Sequence, residues 1–139
     1  MPQSYVTDSS FPYWLIYRNA DFDAVANEMQ FGIFNAYRDR AITQSKTKKE
    51  GNVRVLKSRN IADNEIIDIP GYDTYTDSAE DFDVSKYMNL PNCVLVPNLT
   101  YNPRACFLPK NCIADGSVAI LTTKDPNTTI TSEDLAFFA

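Results

Sequence analysis

The chain contains no histidine. That absence excludes Ser-His-Asp and Cys-His relays, imidazole acid–base chemistry and His-bearing zinc or copper sites, all of which need a group that titrates near neutrality. Cysteine is scarce and odd in number. Cys93, Cys106 and Cys112 match no CxxC metal pattern and read as small buried hydrophobes in a reducing cytosol. The 4 glycines stand isolated at 32, 51, 71 and 116, so neither common phosphate-binding glycine loop can be built. Turns must rest largely on the 8 prolines and on asparagine. No apolar run approaches the ~20 residues that span a bilayer, and the opening MPQSYVTDSS lacks the charged-then-apolar order of a secretory signal. A cytoplasmic protein is expected, which makes Asn98-Leu99-Thr100 and Asn127-Thr128-Thr129 chance matches to the glycosylation pattern.

What is present suits a folded domain. Apolar residues make up 44% of 139 and charged residues 22%, close to the globular average, and the length fits a single domain over 1–139 with one core. The net charge of −5 argues at first against nucleic acid. Its distribution does not. Residues 38–59 hold Arg38, Arg40, Lys46, Lys48, Lys49, Arg54, Lys57 and Arg59 against only Asp39 and Glu50, a net of +6. Residues 63–83 follow with eight acidic side chains and no base. Such blocks are either interaction faces or neighbours that pair with each other.

Leu15-Ile16-Tyr17 reads as a short strand, and Asp21 as the cap of a helix whose apolar face is Phe22, Val25, Ala26 and Met29, ended by Gly32. Within Ile33 to Ile42 a strand is expected, then a polar turn over 44–52. Val53, Val55 and Ile61 alternate with Arg54, Lys57 and Arg59, predicting a strand with one buried and one basic face. Ile66 to Ile69, Cys93 to Val96, Arg104 to Leu108 and Ser117 to Leu121 read as further strands, and 72–86 as an acidic surface loop or short helix. Thr131 to Asp134 caps a closing helix that begins Leu135-Ala136-Phe137-Phe138. The expected class is α+β: a β-rich domain with a bent, mostly antiparallel or mixed sheet and one or two helices.

Few constellations carry chemistry. The acidic pairs Asp81 and Asp83, or Asp63 and Glu65, have the residue types for a divalent cation, but no EF-hand spacing. Asn102-Pro103-Arg104 opens like the Asn-Pro-Pro-aromatic motif of adenine methyltransferases and lacks its second proline and aromatic. Two segments stand out instead. One is GNVRVLKSRNI, 51–61; the other is VLVPNLTYNPRACFLPKNCIADGSVAIL, 94–121, in which Asn98, Thr100, Tyr101, Asn102, Arg104 and Lys110 stand between apolar strands. Arginine pairs with guanine by two hydrogen bonds and asparagine with adenine likewise.

These segments resemble the target recognition domains of bacterial restriction-modification systems, as found in type I specificity subunits and in type II enzymes that fuse recognition to an adenine methyltransferase. Val53 to Asn64, VRVLKSRNIADN, is similar to a segment of such domains that runs valine or isoleucine, arginine, two variable residues, Asn-Ile and an acidic residue or asparagine. VPNLTYNPR is similar to their valine-proline strand and arginine-bearing turn, and LPKNCIADGSVAIL to the proline-lysine step and serine-containing strand that follow. The likeness implies a DNA specificity domain, excised from a longer protein, that performs no catalysis and holds no cofactor. Its partners would be double-stranded DNA and a methyltransferase domain or subunit that uses S-adenosylmethionine. Arg38, Arg40, Lys46, Lys48, Lys49, Arg54, Lys57 and Arg59 would then contact the DNA backbone, and Tyr101, Asn102, Arg104 and Lys110 the base edges or their neighbours. Replacing Lys46, Lys48 and Lys49 together with alanine should flatten the salt dependence of binding by about 0.9 for each phosphate no longer neutralised. Two other classes remain open: a protein-interaction or oligomerisation module with segregated charged faces, and a metal-dependent hydrolase using Asp81 and Asp83.

Overall fold

A computed structural model describes residues 3–8 and 19–136; the strand expected at Leu15-Ile16-Tyr17 and the pair Phe137-Phe138 lie outside them. By their internal contacts the residues form two compact units, Met1–Gly32 and Ile33–Ala139. Length alone carries no information on such a division. The first unit holds α1 (Ser4–Thr7) and α2 (Ala20–Asn27). The cap of α2 is Asn19, whose side chain accepts from the Phe22 amide at 2.8 Å. Asp21 instead falls in the first turn beside Asp23, where acidic groups complement the helix dipole. The helix stops short of Gly32, and Val25 and Met29 of the expected apolar face are 61% and 55% exposed.

The second unit is a small α+β domain. Its strands are β1 (Phe34–Tyr37), β2 (Val53–Leu56), β3 (Ile61–Ala62), β4 (Glu65–Ile66), β5 (Thr74–Thr76), β6 (Val94–Pro97), β7 (Cys106–Phe107), β8 (Cys112–Ala114) and β9 (Val118–Thr123), followed by α3 (Ser132–Ala136). An antiparallel sheet runs β1-β9-β6-β7, and a mixed one runs β5-β2-β8, with β2 antiparallel to β5 and parallel to β8. β3 and β4 form a separate hairpin whose turn places Asn64 at φ 62°. Asn89, Asn92 and Asn111 also adopt left-handed backbone, so asparagine does supply turns that glycine usually makes.

Alternation along the strands determines what is buried. Leu95 of β6 and Val118 and Ile120 of β9 join Val53, Val55, Leu56, Ile61, Ile113 and Ala114 in the main core, which both sheets share. On the opposite face of the antiparallel sheet, Val94, Ala105 and Ile130 pack with Phe34, Val96, Phe107 and Leu121. β6 is therefore covered on both sides, as its unbroken apolar run requires. All three cysteines are buried free thiols, and burial pushes Cys106 up to about 12. At the chain's end the Thr131 hydroxyl accepts from the Asp134 amide at 3.2 Å while the Asp134 carboxylate accepts from the Thr131 amide at 2.7 Å. This is the reciprocal cap expected there.

Candidate nucleic-acid interface

The basic block does not form one face. Strand pairing distributes it over three places. Arg54, in the middle of β2, is mostly buried and ion-paired to Asp68 at 2.6 Å and Asp73 at 3.0 Å. It also donates to the Ile67 carbonyl at 3.1 Å. Asp73 further accepts from Asn60 at 2.6 Å and from the Ile69 amide at 3.0 Å, and Lys57 donates to the Tyr72 carbonyl with its ammonium 3.9 Å from the Tyr72 ring centre. These contacts fasten the acidic segment 67–73 onto β2. Arg54 and Lys57 are thus occupied within the fold rather than lying on an open basic face.

Lys46, Lys48 and Lys49 are exposed at a second place. Lys48 bridges Tyr75 on the side of β5 away from β2. Three strand spacings, about 14 Å, thus separate it from β8. Acidic groups attend this edge: Lys48 pairs with Asp77, and Lys46 lines a shallow pocket of about 340 Å³ with Asp77 and Asp81.

The third place is the turn that joins β8 to β9. Asp115 accepts from the Ser117 amide and hydroxyl at 2.8 and 2.6 Å, and that hydroxyl in turn accepts from the Ser58 amide at 2.9 Å. The Gly116 carbonyl accepts from the Asn98 side chain at 2.9 Å and from Arg38 Nε. The segment 38–40 crosses directly over this glycine: a Cβ there would lie 2.5 Å from the Asp39 carbonyl oxygen and 3.9 Å from Arg40 Cα. Four distant segments therefore meet, bringing Arg38 and Arg40 to one turn, while Arg59, next to Ser58, lays its guanidinium 4.9 Å from the centre of the Tyr72 ring that Lys57 also faces. The Asp39 carboxylate, 2% exposed, accepts from the amides of Ala41 and Ile42 at 2.6 and 3.1 Å. Turned inward, it leaves the neighbouring arginines as the exposed charges of 38–40.

Beside this turn, the loop from Asn98 to Ala105 joins β6 to β7, with Leu99, Tyr101 and Asn102 exposed. Tyr101 is three residues from Asn98, so its Cα lies within about 11 Å of the junction. Of the other expected base contacts, Lys110 is distant and Arg104, in the same loop, is less open. Lys110 lies at the far end of the β6–β7 hairpin, by Asn92, Cys93 and Leu108. Arg104 is half-buried with its Nε unpartnered, and its neighbour Ala105 accepts from the Asn64 amide. Residue type picks out Asn98 among the polar residues of 94–121 but not Ser58, Gly116 or Ser117; the sequence signals the Asp115-Gly116 turn, but not what crosses it.

Among the described residues, no group of three or more Asp, Glu or Cys side chains is placed to hold a metal ion, and no helix is long and apolar enough to cross a membrane. No protein-family model and no curated protein matches the chain.

Proposed function

We propose that the domain binds double-stranded DNA and supplies sequence specificity, without catalysis, to a cytoplasmic restriction-modification protein, as its resemblance to target recognition domains implies. The observation that carries the reading is the placing of Arg38 and Arg40 at the 115–117 turn, beside an exposed loop bearing Tyr101 and Asn102. Guanidinium groups around a rigid junction suit phosphates, which fix register, while a projecting polar loop suits base edges. Methylation would belong to a separate domain or subunit that binds S-adenosylmethionine and flips the target adenine.

The test compares two variants in salt-titrated binding to a duplex pool. Arg40 makes no hydrogen bond or ion pair among the described residues, so Arg40→Ala should leave the fold intact. It should lower the slope of log affinity against log salt by about 0.9 for each phosphate that an arginine no longer neutralises. The triple alanine variant of Lys46, Lys48 and Lys49, on the other edge, is the comparison. Parallel salt plots for wild type and the arginine variant would remove this face from the reading. The exposure of Leu99 and Tyr101 favours a second reading, a docking surface for a protein, which predicts no salt-dependent affinity for DNA at all.

A further inference from the structure

Leu99 and Tyr101 retain 89% and 105% of their full surface, more than any other large apolar side chain described. They are two residues apart on a loop that is anchored at its base. The Asn98 amide donates to the Ser117 carbonyl at 3.0 Å, the Asn98 side chain holds Gly116, and the Thr100 hydroxyl donates to the Asn102 carbonyl at 2.7 Å. Both side chains are therefore presented to solvent by a braced support. Leucine has no hydrogen-bonding group with which to read a base edge, so its contribution to a nucleic-acid contact must come from apolar packing. Such packing is either on a thymine methyl in the groove or between base steps, which an inserted side chain partly unstacks while cations beside it hold the phosphates, and two side chains this fully exposed on a braced loop suit insertion. Arg38 and Arg40 supply such cations at the turn that anchors this loop.

Resting on the reading of the chain as a DNA-binding domain, we infer that Leu99 and Tyr101 form a wedge that inserts between base steps, with Tyr101 stacking on an exposed base face. A wedge gains most where unstacking is already done, as at a missing or mismatched base. The full chain should therefore bind a random-sequence duplex with one central abasic site about tenfold more tightly than the same duplex intact, the scale of one base–aromatic stack. Leu99→Ser with Tyr101→Ser should abolish that preference without altering the salt slope, and Tyr101→Phe should keep it, because the ring remains. Fluorescence anisotropy with the two labelled duplexes reads all three. Equal affinity of wild type for both duplexes, or a preference that survives the double substitution, overturns the wedge while leaving the DNA-binding reading in place. Failure of wild type to bind either duplex overturns both.

Discussion

Asn60 has no exposed surface, yet every part of its side-chain amide is used: its oxygen accepts from the Lys57 amide at 3.0 Å, and its nitrogen donates to Ile67 and Asp73. It thereby helps set the charge state of its neighbour. Burial would raise the Asp73 carboxyl, but the Ile69 amide, the Asn60 amide and the Arg54 charge outweigh it and hold the group below its ordinary value of 3.8. A carboxyl depressed in this way stabilises the fold above its unfolded value and loses that contribution as pH falls through the lower folded one. Asp73→Asn should accordingly be less stable than wild type at neutral pH, with the gap narrowing below about pH 4. Urea midpoints at neutral pH and in acid measure it, and a gap that stays constant would separate the stability loss from ionisation. Residue type reveals part of this region. The buried thiols follow from the rarity and spacing of cysteine, whereas Arg54 gives the same sequence signal whether it faces DNA or, as here, two carboxylates 14 and 19 residues further on.

Elements are legible where one strand carries its own pattern. Val53 and Val55, Val94 to Val96, and Val118 to Ile120 announce β2, β6 and β9 by alternation or by an unbroken apolar run. β5 and β8 do not. Thr74-Tyr75-Thr76 has good strand propensity but lies among aspartates that suggest a loop, and Cys112-Ile113-Ala114 is too short to show a period. These two strands flank β2, and the parallel register of β8 on β2 carries the chain to the 115–117 turn. The candidate interface is therefore not legible as a unit: its arginines reach the turn through pairings that no local pattern encodes. Gly116 is the point where that meeting is tightest. Gly116→Ala would drive a methyl group into the Asp39 carbonyl, 2.5 Å from its ideal position, and overpacking of this kind costs about 1–3 kcal/mol. A drop of that size in the urea-derived stability, together with weaker DNA binding as 38–40 is displaced, is the expected result; wild-type stability would mean that the crossing segment yields freely.

At the scale of the whole molecule, the sequence separates charge and the fold partly reunites it. The +6 and acidic blocks read along the chain are joined by Lys48 with Asp77 and by Arg54 with Asp68 and Asp73. Arg38 and Arg40, which topology draws to the 115–117 turn, stay outside these pairs. The average charge conceals the blocks, and the blocks in turn conceal the pairing. Among the described residues, both core clusters, every paired strand and the 115–117 junction consist of residues from 33 onward. Residues 33–139 thus contain all the apolar packing and all the candidate DNA contacts described for the second unit. Expressed alone, they should unfold in a single cooperative urea transition, because a shared core and completed sheets are the conditions for two-state behaviour in a domain of this size. They should also retain the salt slope of DNA binding shown by the full chain, since no candidate contact lies before residue 38. A gradual, non-cooperative transition would show that residues 1–32 are required for the fold, and a cooperative transition with a reduced slope would place additional phosphate contacts in those first residues.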